Sequence, residues 1–226
     1  MTELRRLPAN TRTGRPRNPR GQGSQLREDI IDAATAILER SGSEYALTLR
    51  GIAREVGIAV ASIGRHFDDL FDIIDAVTAR ETAILHQRLT AATASPDASG
   101  PVQRLMAICR AYLHYGTERP ARYHMLLGRR SMDSWQERDY NAPDTNALMR
   151  SSLALATQAI ADCATAGVST STDPAYDTLV LWFALDGLVN ITTAVASIDW
   201  PEREQLLTDC VTRTAKLTTR PDSPRT

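Results

Sequence analysis

The sequence predicts an all-α protein, in which a small N-terminal head of three helices is joined by a connecting helix to a larger helical bundle. Apolar residues recur three and four positions apart along most of the chain, which is the period of an amphipathic helix. No segment alternates apolar and polar residues for long, so strands are not expected. Prolines stand at the starts of several predicted helices, where the missing backbone N–H has no intrahelical partner to lose.

The head is predicted from residue 24 to residue 70, behind an arm with few apolar side chains. Residues 1–23 contain six arginines, three prolines and three glycines, and such a segment cannot offset the entropy cost of its own ordering. The first helix of the head is predicted to begin near Ser24, a plausible N-cap, and to end before Gly42. Its inner face is formed by Leu26, Ile30, Ala33, Ala34, Ile37 and Leu38.

Two short helices follow in the head. Thr48 can cap the first of them and Gly57 ends it, and the second is predicted near residues 59–67. Two short helices joined by a tight turn, behind a stabilising helix, form the helix-turn-helix plan, whose second helix lies in the major groove of DNA. The inward residues of the two helices are Leu49, Ile52, Ala53, Val56, Val60, Ile63 and Phe67.

The connecting helix is predicted from residue 68 or 69 to residue 94, because apolar residues recur along it at helical spacing. The turn-rich residues 95–101 then separate it from the rest of the bundle. We assign residues 71–219 to one helical domain for ligand binding and dimerisation, and residues 220–226 to a tail. Further helices are predicted near residues 102–116, 120–132, 143–167, 173–198 and 201–219.

Residues 179–198 form a 20-residue stretch with a single charge, which is the length of a membrane span. Asp186 lies near its middle, however, where a carboxylate costs about 2.5–3.5 kcal/mol on membrane insertion scales. Flanking Lys or Arg residues are also missing. We therefore expect a buried helix of a soluble assembly and no membrane partner.

Length and composition fit a folded protein. The 226 residues, 42% hydrophobic and 23% charged, make one large domain or two small ones. The three cysteines, Cys109, Cys163 and Cys210, are far apart in sequence, which argues against a disulfide framework or a structural zinc site. The N-terminus lacks the apolar core of a signal peptide. These features predict a cytoplasmic protein.

Charge is unevenly distributed along the chain. The net charge is −1, but residues 1–67 contain eleven arginines and seven acidic residues, a net of +4, so the remainder has a net of −5. Lys216 is the only lysine, and guanidinium groups suit bidentate contacts with phosphates and bases. The basic N-terminal part is therefore predicted to meet a polyanion.

The head motifs resemble the TetR family of transcriptional repressors. The resemblance is carried by TLRGIAREVGIA (48–59) and SIGRHF (62–67), preceded at the expected distance by IIDAA (30–34). The segments ERPARY (118–123) and WFALDG (182–187) also resemble segments common in the ligand domains of the family. The resemblance implies a DNA-binding regulator, most simply a dimeric repressor that a small-molecule effector releases from a near-palindromic DNA operator.

The chain departs from the family at four positions of the head. Family members usually have Ser or Thr in place of Ala59, a long polar residue in place of Val60, Tyr in place of Gly64, and often Lys in place of Leu70. A lost cap costs about 1 kcal/mol, and glycine inside a helix costs about another 1 kcal/mol relative to alanine. The second short helix is therefore expected to lack intrinsic stability and phosphate-binding groups.

Four residues remain as candidates for base contacts on that helix. Arg65 either bridges O6 and N7 of a guanine or contacts phosphate. Ser62 is a candidate for a base or a phosphate, and Ala61 for a thymine methyl group. His66 resembles a family histidine near phosphate, with packing or capping as the alternative.

Two further regions supply candidate DNA contacts. Thr48 and Arg50 begin the helix that crosses the DNA backbone, and helix N-termini and arginines suit phosphate binding. In the arm, Arg15 and Arg17 belong to GRPR (14–17), which resembles the core of an AT-hook. Narrow minor grooves attract arginine, and a general electrostatic tether is the alternative.

The bundle contains apolar and aromatic residues that predict either an effector pocket or an ordinary core. Asp186 needs a partner on its apolar helix, and a cationic or hydroxyl-bearing ligand or an arginine at a dimer interface would supply one. The candidate ligand-binding residues are Met106, Cys109, Tyr112, Leu113, Met125, Trp135, Met149, Leu153, Trp182 and Asp186.

The helices near residues 173–198 and 201–219 are the dimerisation surface that the resemblance implies. The first of them is apolar on more than one face, and a helix that is apolar all round must be buried. Small residues, Gly187, Ala194 and Ala196, allow close packing. A twofold partner would bury this surface.

The sequence also bears on two other classes of function. An enzyme is not expected, because the four histidines form no metal-binding pair and the sequence has no nucleophile elbow, P-loop or dinucleotide-binding fingerprint. No cofactor or metal is indicated either. The second alternative is a dimeric ligand-binding or interaction protein with a degenerate DNA head, which the losses at Ala59, Gly64 and Leu70 favour and the arginine-rich arm disfavours.

Overall fold

The computed structural model describes residues 23–128, 143–195 and 197–218, and this part of the chain is all-α, as predicted. A single 3-10 turn, Glu44–Ala46, joins the first two helices. The described helices are Gly23–Ser41 (α1), Leu49–Val56 (α2), Val60–Ile63 (α3), Leu70–Thr93 (α4), Pro101–Glu118 (α5), Pro120–Gly128 (α6), Pro143–Thr165 (α7), Pro174–Ala194 (α8) and Arg203–Thr214 (α9).

Side-chain caps set several of the helix starts. The Thr48 hydroxyl accepts a hydrogen bond from the Gly51 amide at 3.0 Å, as the sequence predicted for α2. Asp69 accepts from two amides at the start of α4. Gly57 ends α2 in the left-handed conformation, with φ of 78°. Local sequence chemistry is therefore sufficient to place these boundaries.

The third helix of the head is shorter than predicted. The sequence suggested residues 59–67, whereas α3 covers only Val60–Ile63 and continues as turns to Phe67. Ala59 makes no capping bond, and Gly64 favours the helix poorly. Hydrogen bonds from the His66 and Phe67 amides to the Ile63 carbonyl nevertheless keep the segment compact.

The last helix is also shorter than predicted. It ends at Thr214, and the chain then turns through Lys216, which has a φ of 51°. The Thr218 amide donates to the Val168 carbonyl, and the Thr170 amide donates to the Lys216 carbonyl. This short antiparallel contact, which follows α7 on one side and α9 on the other, replaces the final helical turn.

Buried side chains form two cores that share α4. Ile73, Ile74 and Val77 of α4 pack in the core of the head with α1, α2 and α3. Leu85 and Leu89, farther along α4, pack in the core of the bundle with α5, α7 and α8. One continuous helix thus contributes side chains to both cores.

An ionic cluster also joins the head to the bundle. Glu81 of α4 is 0% exposed, and its carboxylate accepts hydrogen bonds from Arg122 at 2.8 Å and from the Tyr115 hydroxyl at 3.0 Å. Arg119 lies 3.8 Å from the same carboxylate. Arg122 also pairs with Glu39 of α1. Arg122 therefore ties α1, α4 and α6 together at one point.

Helices α5 and α8 approach closely at Gly116. A Cβ atom on Gly116 would lie 2.7 Å from Val189 Cγ1 and 3.1 Å from Tyr123 Cδ2. We therefore expect Gly116→Ala to lower the free energy of unfolding by about 1–3 kcal/mol. This loss should occur even though alanine has a higher helix propensity than glycine. Urea denaturation measures this change.

Gly64→Ala is the matched control for Gly116→Ala. A Cβ atom on Gly64 would meet only the Ala61 carbonyl oxygen at 3.8 Å, and the φ of Gly64 is −60°. This substitution should therefore leave the free energy of unfolding unchanged or raise it. Equal losses in the two variants would show that the close approach at Gly116 has no energetic consequence.

No helix in the described ranges is both long enough and apolar enough to cross a membrane. Helix α8, for which a membrane span was the alternative interpretation, instead contributes Leu181, Leu185, Leu188 and Val189 to the core of the bundle.

Candidate functional site

The head presents three exposed arginines that have no ion pair among the described residues. Arg50 and Arg54 lie on α2, and Arg65 lies in the turn after α3. Other arginines of the head are occupied: Arg40 makes a two-pronged pair with Glu55, and Arg27 lies 4.9 Å from the ring centroid of Phe67. The three unpaired guanidinium groups are available to an external anion. Arg54 was not among the sequence candidates, because the sequence around a charged residue of an amphipathic helix does not show whether that residue has an ion-pair partner.

The outer side of α3 is open to solvent. Ile63 is buried in the core of the head, whereas Val60 is 41% exposed. Ala61 is exposed as well, and Ser62 is half-buried. The residues predicted for base contacts therefore lie away from the core of the head, together with an apolar side chain, Val60, that the sequence had placed inward.

The remaining head candidates occupy the ends of this surface. Thr48 caps α2 with its side chain and is exposed, and His66 is half-buried beside Phe67. The two arm candidates, Arg15 and Arg17, lie outside the described residues.

A small apolar cavity lies between α4, α5, α7 and α8. Its volume is about 40 Å³, which is room for about three water molecules. Burial raises the pKa of the Cys109 thiol to about 12 and that of the Tyr112 hydroxyl to about 12, so both groups are neutral at physiological pH. The lining residues are Leu85, Leu89, Ile108, Cys109, Tyr112, Met149, Ser152, Leu153, Ala156, Thr178, Leu181, Trp182 and Leu185.

The cavity brings together only some of the predicted ligand-binding residues. Cys109, Tyr112, Met149, Leu153 and Trp182 line it. Of the others, Met106 and Leu113 lie in the core of the bundle and Met125 in the core of the head, while Trp135 lies outside the described residues. Helical spacing identifies an inward face, but it does not show which inward side chains border a gap.

Eight lining residues were not among the sequence candidates: Leu85 and Leu89 of α4, and Ile108, Ser152, Ala156, Thr178, Leu181 and Leu185. The two α4 leucines were recognised only as part of the connecting helix. A hydroxyl group on a helix commonly bonds to the carbonyl of the preceding turn, so its sequence position does not mark it as part of a cavity.

A chain of hydrogen bonds runs from the cavity to α6. The Trp182 indole donates to the Tyr112 hydroxyl at 2.9 Å, and this hydroxyl lies 2.9 Å from that of Tyr123. Tyr123 donates to Asp186 at 2.6 Å, and so does the Asn190 side chain at 2.9 Å. Within the described residues of one chain, the partners of Asp186 are thus a tyrosine and an amide.

The outer face of α8 is apolar and exposed. Phe183 is 70% exposed and lies stacked on Trp182, with 6.1 Å between ring centroids. This face contrasts with the buried face of the same helix. Its exposed apolar residues are Tyr176, Leu179, Val180, Phe183 and Ile191, spaced at three, one, three and eight positions along one side.

Comparisons with known proteins agree with this architecture. Residues 105–213 match the family described as "Tetracyclin repressor-like, C-terminal domain". No curated protein sequence matches the chain significantly.

Solved structures match nearly the whole chain. A protein of unknown function from Rhodococcus sp. RHA1 is 22% identical, with a TM-score of 0.73 over 90% of this chain and 100% of the other. A bacterial regulatory protein of the TetR family from Rhodococcus RHA1 is 19% identical, with a TM-score of 0.65 over 88% of this chain and 99% of the other.

SmeT, the repressor of the Stenotrophomonas maltophilia multidrug efflux pump SmeDEF, is 16% identical, with a TM-score of 0.59 over 88% of this chain and 96% of its own. At these identities the structural likeness concerns the fold. Residues 105–213 thus resemble the C-terminal domain of tetracycline-repressor-like proteins, and the described part of the chain has the fold of these solved structures, with a helix-turn-helix head and two cores that share α4.

Proposed function

We propose that the protein is a sequence-specific DNA-binding transcriptional regulator, a homodimeric repressor that a small-molecule effector releases from a near-palindromic operator. The observation that carries this proposal is a set of three exposed arginines on α2 and after α3, Arg50, Arg54 and Arg65, none of which has an ion pair within the described part of the chain. Guanidinium groups on a helix-turn-helix are suited to phosphate and guanine contacts. A regulator of this kind acts in the cytoplasm.

The exposed face of α8 supports the homodimer. An exposed apolar stripe on an otherwise folded protein marks an interaction surface, and a second copy of α8 and α9 is the occupant that the proposal requires. Two copies related by a twofold axis bury the same stripe on each protomer. The same symmetry places two heads on two DNA half-sites, which is the reason to expect a near-palindromic operator.

Phe183→Asp tests this interface. We expect the variant to be a monomer at concentrations at which the wild type is a dimer, because a carboxylate would be buried at the centre of an apolar contact without a partner. Sedimentation velocity measures the oligomeric state. Ala83→Asp, which places the same charge on an exposed position of α4, should remain dimeric, and a dimeric Phe183→Asp would contradict an interface through α8.

Helix α4 supports the proposed release by an effector. Leu85 and Leu89 border the cavity, and Ile73 and Ile74 of the same helix lie in the core of the head. The cavity is smaller than the roughly 300–1,000 Å³ of usual ligand clefts, so an effector must move its walls. Moving α4 would change the spacing of the two heads, and the effector must bind this second state more tightly than the first.

Selection of bound DNA from a random pool tests the proposed function. The expected result is an enriched near-palindromic motif, with the half-sites about one helical turn or a multiple of it apart. Fluorescence anisotropy then compares the enriched site with a scrambled site of the same length. Equal affinities for the two would contradict the proposal and favour the alternative, a ligand-binding or interaction protein with a degenerate DNA head, which the uncapped Ala59 and Gly64 still motivate.

A further inference from the structure

The described residues that line the cavity between α4, α5, α7 and α8 carry no group that is charged at physiological pH. The described lining residues include no arginine, lysine, histidine, aspartate or glutamate. The thiol of Cys109 and the hydroxyl of Tyr112 could lose a proton, but burial raises the pKa of each to about 12, so both are neutral at physiological pH. A charged ligand would therefore lose its hydration without gaining a counter-charge, which is costly.

The polar groups of the lining are already occupied by partners within the protein. The Ser152 hydroxyl donates to the Leu148 carbonyl at 2.9 Å and lies 3.0 Å from Nδ1 of His86. The Thr178 hydroxyl donates to the Pro174 carbonyl at 2.7 Å and accepts from Thr157 at 3.0 Å. Each hydroxyl proton is thus already donated, so a ligand acceptor would have to replace a bond that the protein makes by itself.

The aromatic part of the lining is occupied in the same way. The Trp182 indole N–H donates to the Tyr112 hydroxyl, which is also within hydrogen-bond distance of Tyr123. What remains available to a ligand is hydrocarbon, ring faces and the sulfur atoms of Met149 and Cys109. Met149 is the lining side chain best suited to give way, because methionine is unbranched and adapts its shape.

We propose that the cavity takes an electrically neutral, predominantly apolar molecule, held by dispersion and burial and without a charged contact. This inference rests on the proposed function, because it names the chemical class of the effector. A neutral effector would distinguish this protein from a regulator that senses an anionic or cationic metabolite. A flat aromatic hydrocarbon or a short neutral alkyl chain has the required chemistry, and a carboxylate, phosphate, sulfonate or quaternary ammonium group does not.

The test uses two fluorescent probes that differ in one charged group. N-phenyl-1-naphthylamine is neutral, and 1-anilinonaphthalene-8-sulfonate has the same ring systems and an added sulfonate. Each is titrated into the full-length wild type without DNA, and fluorescence enhancement is measured. We expect one neutral probe per protomer and a dissociation constant about 100-fold higher or more for the sulfonate, since burying an unpaired ion costs several kcal/mol. Equal or tighter binding of the sulfonate overturns the proposal.

Two matched variants locate the probe. Ala156 lines the cavity, whereas Ala154 of the same helix is exposed. Ala156→Phe should abolish binding of the neutral probe and Ala154→Phe should retain it; a probe on the exposed face of α8 would be unaffected by either, which overturns the cavity assignment. If circular dichroism shows that Ala156→Phe does not fold, Ala156→Leu, which adds less volume, takes its place. Ala156→Leu should weaken binding of the neutral probe.

The outcome is independent of DNA binding. Preference for the neutral probe and its loss in Ala156→Phe support the chemistry of the cavity even if the DNA selection enriches no motif, in which case the regulator assignment alone fails. An enriched operator together with binding of the sulfonate at the cavity means that the regulator assignment holds and that the inference about the effector is wrong.

Discussion

Arg122→Met is expected to lower the free energy of unfolding by about 3–5 kcal/mol, because it leaves a buried carboxylate without its principal partner. Glu81 is 0% exposed, and Arg122 donates to it at 2.8 Å. After the substitution, Glu81 would retain the Tyr115 hydroxyl and a more distant Arg119 at 3.8 Å. Because methionine fills a similar volume, the decrease in the free energy of unfolding should come mainly from the lost charge and hydrogen bonds and less from packing.

The control for Arg122→Met removes an arginine from a surface pair. Arg110 pairs with Glu204, and the two side chains are 46% and 55% exposed. Exposed pairs contribute about 0–1 kcal/mol, so Arg110→Met should change little. Urea denaturation of both variants gives the comparison. If the two losses are equal, the buried pair at Glu81 is not a determinant of stability.

Arg122→Met should also disturb the position of the head. Arg122 contacts Glu39 of α1 and Glu81 of α4, so it fixes the first helix of the head against the connecting helix. We expect amide hydrogen exchange in α1 to become faster in Arg122→Met than in Arg110→Met. Unchanged protection of α1 would mean that the apolar core around Ile73 and Ile74 holds the head in place alone.

Arg65→Ala is expected to reduce affinity for the selected operator about 10-fold to 100-fold, because a bidentate guanine contact discriminates by about 1–3 kcal/mol. Arg65 is exposed and has no ion pair among the described residues. Fluorescence anisotropy with the selected site measures the loss. Repeating the DNA selection with the variant should then show relaxed preference at a single base pair in each half-site.

Arg54→Ala distinguishes base reading from phosphate binding. Arg54 lies on α2, the helix that crosses the DNA backbone in this motif. Its removal should weaken binding to all sequences alike and make the slope of affinity against salt concentration less steep by about one unit. If Arg65→Ala behaves in the same way, Arg65 is a phosphate contact; if it binds the operator as tightly as the wild type, Arg65 does not contact DNA.

The helices and most of their ends could be predicted from the sequence, because their causes are local. The spacing of Ile30, Ala34 and Leu38 defines the buried face of α1, and Thr48 and Gly57 delimit α2 through bonds within a few residues. The helix-turn-helix followed from the same local signals. Where a local signal was weak, as at Ala59 and Gly64, the predicted helix was too long.

Only the tertiary structure decided which residues share a site. Met125 has the spacing of a core residue, but the path of α6 places it in the head and not beside the cavity. Glu81 was not singled out in the sequence, because its burial depends on Arg122 and Tyr115, which lie 41 and 34 positions away. Asp186 likewise meets Tyr123, 63 positions away. Helical periodicity is a property of neighbouring residues, whereas a cavity or a buried ion pair exists only where separate helices pack against one another.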